Sequence, residues 1–293
     1  GDIMASMRDI KRRKGSIQST QQITKAMKLV STVKLQRAKQ NAEKSGSYFR
    51  CMYDTVLSIL QKTKNLDHKY LREGNAGKKA VIVITSNRGL AGGYNSNVIK
   101  LITRGELAGE DLAIYAIGGK GREALQRQYE IKADYSDVIE EPAYADAMVI
   151  SKDVLGAFER GEISEIYLAY TAFKNTVVHV PTLLKLLPVQ IDEGEMQGSE
   201  DGAQAEDKVP MNFEPEDEEA LNLLIPKYIT SLIYGGMIEA VASENGARMQ
   251  AMDSATSNAE EMIDNLTLLY NRARQGSITQ ELTEIIAGAN AIS

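Results

Sequence analysis

The sequence predicts a mixed α/β protein: a long antiparallel coiled coil of its N- and C-terminal helices, built around a central, Rossmann-like, mostly parallel α/β domain. Three observations carry this. Both ends of the chain are free of proline, all six prolines lying between Pro142 and Pro226. Near the carboxyl end Met249, Met252, Thr256, Ala259, Ile263, Leu266, Tyr270 and Ala273 follow alternating steps of three and four, the spacing that keeps one stripe against a partner helix along a supercoiled seam. Between Lys78 and Pro188 the period changes to short runs rich in β-branched residues, as expected of strands.

Taken in order, residues 4–62 read as the N-terminal coiled-coil helix. Ile23, Met27 and Val30, with Ala26, Leu29 and Val33 alongside, form an apolar face at helical spacing and are the expected partner of the C-terminal seam. Residues 78–190 read as the central domain. Ala80–Thr85 is a continuous apolar run expected of a strand buried on both faces. Further strands are predicted at Asp111–Ile117, Glu130–Tyr135 and Glu165–Phe173, with helices near 95–102, 120–128 and 143–160. Strands alternating with helices imply βαβ units. Lys174-Asn175-Thr176 reads as a turn into Val177–Leu187, an antiparallel edge strand. Residues 191–215 form an acidic loop, expected to be flexible because glycine and proline interrupt a charge run. The C-terminal helix is assigned to 216–290. Pro226 is well placed at a helix start, and from there to about Ala289 the helix would run roughly 95 Å at 1.5 Å per residue. That is too long for a globular core to bury.

Composition narrows the function. Six per cent aromatics and no tryptophan among 293 residues are thin for a heavy core, whereas eleven methionines suit adaptable helix–helix contact. The single cysteine, Cys51, cannot form an internal disulfide, which favours a reducing compartment. No stretch reads as a signal peptide or as an apolar span of membrane length. The net charge of −6 conceals an asymmetry: residues 1–50 carry twelve Lys or Arg against three acids, and residues 191–219 carry twelve acids against Lys208. The basic arm suits a nucleic-acid patch or a helix working against an acidic protein surface. It lacks the aromatic interleaving of a nucleic-acid reader, and no nucleic-acid partner is expected.

Two glycine clusters resemble phosphate-binding turns. Ser86-Asn87-Arg88-Gly89-Leu90-Ala91-Gly92-Gly93-Tyr94-Asn95 follows the first strand and precedes a helix, where backbone amides often hold phosphate. Neither it nor Ile117-Gly118-Gly119-Lys120-Gly121-Arg122 completes G-x-G-x-x-G or a Walker lysine pattern. Glycines serving tight strand-to-helix turns are the better reading. His68 and His179 have no metal-ligand spacing, and no Ser/His/Asp or Cys/His constellation is present. A non-catalytic chain without cofactor or metal is expected.

Three motifs then point to a family. Ile10-Lys11-Arg12-Arg13 with Ser16-Ile17-Gln18-Ser19-Thr20-Gln21-Gln22-Ile23-Thr24-Lys25-Ala26-Met27-Lys28-Leu29-Val30 resembles the first helix of the γ subunit of F-type ATP synthases, bacterial type. The 86–95 loop is similar to that family's central glycine loop. Ser243-Glu244-Asn245-Gly246-Ala247-Arg248-Met249-Gln250-Ala251-Met252, with Arg274-Gln275 and Ile278-Thr279-Gln280-Glu281-Leu282-Thr283-Glu284-Ile285, resembles its carboxy-terminal helix. The resemblance covers essentially the whole chain, in order. Asn87 stands where the family usually has Asp, Tyr94 where Leu is common, and the acidic stretch 192–209 is longer than in many members. The dithiol insertion of chloroplast forms is missing.

The resemblance implies a central-stalk rotor that couples transmembrane proton or sodium flow to ATP synthesis or hydrolysis on a ring of three α and three β subunits. Catalysis would lie on the β subunits. The partners implied are the α and β subunits, the ε subunit and the c-ring of the membrane sector. The location implied is peripheral, on the cytoplasmic side of a bacterial cell membrane. Carried over by motif, Met27, Arg248, Gln280, Thr283 and Glu284 are coupling positions, with Lys25 and Lys28 in the basic face. Asn87, Arg88 and Gly89 form the central-domain loop.

Overall fold

The computed structural model describes residues 2–62, 68–72, 77–189 and 217–292. In the long helices it describes the side chains of 7–42, 51, 55 and 221–290. The predicted acidic loop 191–215 lies outside the described residues. The elements are α1 (Asp2–Lys62), β1 (Lys78–Ile84), α2 (Tyr94–Arg104), β2 (Leu112–Ile117), α3 (Gly119–Leu125), β3 (Glu130–Asp134), α4 (Tyr144–Glu159), β4 (Ile163–Phe173), β5 (His179–Leu187) and α5 (Asp217–Ile292). They form two compact units, one of 1–33 with 248–293 and one of 34–247.

In the second unit a five-stranded sheet runs in the order β3-β2-β1-β4-β5. β1 pairs in parallel with β2 and β4, β2 in parallel with β3, and β5 antiparallel with β4. The predicted strand-helix alternation and the antiparallel edge strand are both found. A parallel sheet must be covered on both faces, because its central strands are apolar on both. Successive residues of β1 accordingly enter different cores. Ala80, Ile82 and Ile84 join Tyr115, Ile166 and Leu168 beneath α4 and α5, whereas Val81 and Val83 join Ile114 and Ala169 beneath α2. From α5 the cover is Leu221, Ile225, Ile229, Ile233 and Met237, all fully buried, a row with a four-residue step along one helix face.

α5 begins at Asp217, beside the assigned 216, and carries Pro226 inside it, so this proline is not the helix start that its local propensity suggests. Proline there forfeits one helical hydrogen bond and crowds the preceding turn, at a cost of about 3 kcal/mol. Burying Leu221 and Ile225 on the sheet recovers about 1.5–3 kcal/mol for each side chain. Hence the helix continues through the proline.

In the first unit α1 and α5 run antiparallel. On α5 the predicted positions Met252, Thr256, Ala259, Ile263, Leu266, Tyr270 and Ala273 are buried or half-buried, with Ala251, Ala255, Thr267 and Ser277 half-buried beside them. On α1 the outcome is different. The seam is Met7, Ile10, Lys14, Ile17, Gln21, Thr24, Lys28 and Ser31, again in steps of three and four. The expected apolar face points away from it: Ile23, Leu29, Val30 and Val33 are 57%, 67%, 57% and 56% exposed. Ala26 is exposed as well, and only Met27 is half-buried. Helical spacing identifies both faces, but the face that meets α5 is the more polar one.

Replacing Ile233 with alanine leaves a cavity between α5 and the sheet. The substitution is expected to lower the unfolding free energy of the full chain by about 2–5 kcal/mol, read by chemical denaturation. Val30→Ala, on the exposed face, is expected to change it by less than about 0.5 kcal/mol.

Candidate functional site

The glycine loops lie at the carboxyl ends of β1 and β2, where open α/β sheets commonly bind ligands. Here their polar groups bond to one another. Asn87 donates from Nδ2 to the Ser136 carbonyl at 2.8 Å and accepts the Gly119 N–H through Oδ1 at 2.8 Å. Thr85 Oγ1 accepts the Gly121 N–H at 2.8 Å, and the Ser86 carbonyl accepts that of Lys120 at 3.0 Å. The first three amides of α3, which would otherwise face a phosphate, are therefore occupied from within the chain. Asn95 accepts the Ser86 N–H at 2.9 Å, tying the start of α2 to the same loop. Gly118 has φ 108°, and a Cβ there would lie 2.0 Å from the Thr85 carbonyl oxygen, so only glycine fits the turn. Arg88 and Gly89 are exposed, as is Leu90 at φ 63°.

The Ser243–Gly246 motif also has a packing explanation. Ser243 Oγ donates to the Thr171 carbonyl at 3.0 Å, and Glu239 accepts the Phe173 N–H at 3.1 Å. A Cβ on Gly246 would come within 2.5 Å of His179 Nε2. The two bonds join α5 to β4, and the close approach at Gly246 seats it against β5. From α1, Leu35 and Ala38 are buried, and Lys39 reaches Thr176 Oγ1 at 3.2 Å and the Phe173 ring at 5.3 Å. Burial raises the Glu239 carboxyl above its ordinary 4.5, opposed by the Phe173 N–H, and it lowers the His179 imidazole. Sequence reasoning missed Glu239, which stands in an apolar stretch of helix with no motif around it.

The remaining site residues lie in the first unit. Lys25 is exposed, and Met27 and Arg248 are half-buried. Lys28 pairs with Asp253 at 2.5 Å, an ion pair open to solvent. Gln280 donates to Glu284 at 3.0 Å, and Thr283 donates to the Thr279 carbonyl at 2.9 Å. Every described residue from 278 to 290 is exposed, including Ile278, Leu282, Ile285 and Ile286. Of the basic face, Arg12 pairs with Asp9, while Lys11, Lys25 and Arg37 make no ion pair among the described residues. The structure thus brings Lys25, Met27 and Lys28 onto one stretch of α1 and leaves Gln280, Thr283 and Glu284 on a solvated end of α5. Among the described residues no cluster of His, Cys, Asp or Glu could hold a metal, and no helix is long and apolar enough to cross a membrane.

The structure thus offers a helical pair with a partly polar seam and an exposed apolar flank, and an α/β unit whose β2–α3 turn is closed by bonds within the chain. Comparison with known proteins gives the family. The ATP synthase family profile matches residues 6–292. The chain is 64% identical over 291 residues to the ATP synthase gamma chain of Lachnoclostridium phytofermentans, covering 99% of this chain and 100% of that one. It is 40% identical over 299 residues to a gamma chain described as sodium ion specific in Acetobacterium woodii, covering 98% and 99%. A mitochondrial ATP synthase chain of Euglena gracilis has the same fold, with a TM-score of 0.67 at 19% identity over 98% of this chain and 95% of that one. The chain belongs to the gamma-chain family of bacterial F-type ATP synthases, the stalk subunit of that complex.

Two outcomes test the site. Gly118→Ala is expected to destabilise the full chain by about 2–4 kcal/mol, whereas Arg88→Ala is expected to cost less than about 1 kcal/mol; thermal unfolding measures both. For Glu239 the sign follows from a raised folded-state value: its contribution is fully present below the unfolded value near 4.5 and is lost as pH rises through the higher folded value. Glu239→Gln is therefore expected to gain stability relative to the parent chain as pH rises from 4.5 to 8, with the gap closing at the acid end. Denaturation at a series of pH values reads the difference.

Proposed function

We propose that the α1–α5 pair of the first unit is the shaft that turns inside a ring of three α and three β subunits, with ATP made or hydrolysed on β. The ε subunit and the c-ring meet the α/β unit, and rotation couples proton or sodium flow to the chemistry. The assembly holds the chain peripherally on the cytoplasmic side of a bacterial membrane. The observation that carries this reading is the inverted α1. Ile23, Leu29, Val30 and Val33 are more than half exposed, while five of the eight α1 seam positions are polar: Lys14, Gln21, Thr24, Lys28 and Ser31. Apolar rows of this kind need a protein surface outside the chain to cover them.

Met27, Lys25, Lys28, Arg248, Gln280, Thr283 and Glu284 are the coupling positions on this reading. Asn87 serves the fold, and Arg88 and Gly89 present an exposed loop to the ε subunit or the c-ring. A rotor passing three repeated surfaces is trapped by tight specific bonds, so soft attraction between its basic face and acidic neighbours suits it better. Exposed pairs contribute about 0–1 kcal/mol each. Single neutralisation of Lys11, Lys25 or Arg37 in the assembled complex is expected to change ion pumping per ATP hydrolysed by less than about twofold. Reversing all three together lowers that ratio severely. Met27→Lys, which puts a charge at a half-buried position, impairs it more than any single loss. Normal pumping by Met27→Lys, with uncoupling by Lys28→Ala alone, would show that one specific ion pair acts in place of a collective field.

A further inference from the structure

The seam of the first unit has one feature its apolar residues do not require. Thr24 Oγ1 and Thr256 Oγ1 lie 2.7 Å apart across it, at 7% and 9% exposure. Each hydroxyl also reaches a carbonyl of its own helix, Thr24 that of Gln21 at 3.0 Å and Thr256 that of Met252 at 2.7 Å. With one proton each, one hydroxyl donates across the seam and the accepting one donates to its own backbone. Both are fully satisfied whichever direction the proton takes. The neighbouring Lys28–Asp253 pair crosses in nearly the same register.

Residue numbers facing each other across this antiparallel pair sum to about 280, from 24 + 256. Met7 then faces Ala273, Ile10 faces Tyr270 and Ile17 faces Ile263. A slip of one heptad, about 10.5 Å along the axis, changes the sum to 273. It would set Met7 against Leu266, Ile10 against Ile263 and Lys14 against Ala259. Those partners are as apolar as the observed ones, so burial within the seam of the first unit discriminates poorly between the two registers. The hydroxyl pair discriminates sharply, because the slip puts Met249 opposite Thr24 and Ile17 opposite Thr256. A buried polar group at a seam position is a known means of specifying register at some expense in stability.

We infer that Thr24 and Thr256 are positioning residues that set the axial register of the α1–α5 pair, with Lys28 and Asp253 in support. The inference stands on the seam geometry alone and is independent of what surrounds the shaft.

The test uses the full chain with Cys51→Ser and introduced cysteine pairs. Gln21→Cys with Ala259→Cys reports the observed register, and Lys14→Cys with Ala259→Cys reports the one-heptad slip. Oxidation of the parent chain is expected to give the first crosslink in large excess. In T24V/T256V the ratio of the first crosslink to the second is expected to fall at least about fivefold, the factor equivalent to one net hydrogen bond. T24S/T256S, which keeps both hydroxyls, restores the ratio. Two isosteric valines replace a bonded pair, so the thermal midpoint of T24V/T256V is expected to stay level or rise. That separates loss of register from loss of fold. An unchanged crosslink ratio in T24V/T256V, or failure of the serine pair to restore it, overturns the inference.

Discussion

The α/β unit depends on the covering of one sheet face by the first part of α5. The sheet's parallel core strands are apolar on both faces, and burial on both sides is what makes them stable. α2 and α3 cover one face with residues close in sequence. The other is completed only when Leu221, Ile225, Ile229, Ile233 and Met237 arrive from the far end of the chain. Gly236 shows how close the approach is: a Cβ there would lie 2.9 Å from Leu168 Cδ2. Such non-local closure tolerates a proline within the helix, because the row it extends contributes more than the missing backbone bond costs.

The first unit follows a different economy. Its seam mixes apolar residues with Lys14, Gln21, Thr24, Lys28, Ser31 and Thr256, and its α1 flank leaves large apolar side chains in solvent. A two-helix pair designed only for its own stability would reverse this arrangement. Polar groups in the seam reduce the adhesion of the two helices and make their alignment more selective. Apolar groups outside it are consistent with a member of an assembly, whose remaining burial comes from other chains.

The strands were legible in the sequence because a strand buried on both faces has to be a continuous run, as Ala80–Thr85 is, and because turn residues bracket each run. The C-terminal seam was legible because Met252 to Ala273 keep a strict three-four alternation over three heptads, which Met262, Leu268 and Leu269 on other faces do not. α1 was misread because it carries two candidate stripes, and the greater hydrophobicity of Ile23, Leu29, Val30 and Val33 is no guide to which partner covers them. Pro226 has the local propensity of a helix start, but the buried row of Leu221, Ile225 and Ile229 around it carries the helix through. Of the candidate site, the role of Gly118 as a turn residue follows from its place in a glycine cluster after a strand, whereas the bonds of Asn87 to Ser136 and Gly119 do not. The bond between Thr24 and Thr256, 232 residues apart, and the seat of Glu239 against Phe173 depend on pairings that no single-chain pattern encodes.

The glycine turns mark the difference between a fold and a function. The strand order β3-β2-β1-β4 and a glycine-rich β1–α2 connection make up the scaffold on which nucleotides are often bound. In this chain Thr85, Ser86 and Asn87 direct their oxygens at the amides of Gly121, Lys120 and Gly119. Backbone donors that elsewhere meet phosphate here hold β1 to α3. The β2–α3 turn is thus held by two side-chain oxygens and one carbonyl of the chain itself. Function lies in sites grafted on folds, and what this sheet presents is an apolar face on which α4 and the first part of α5 pack.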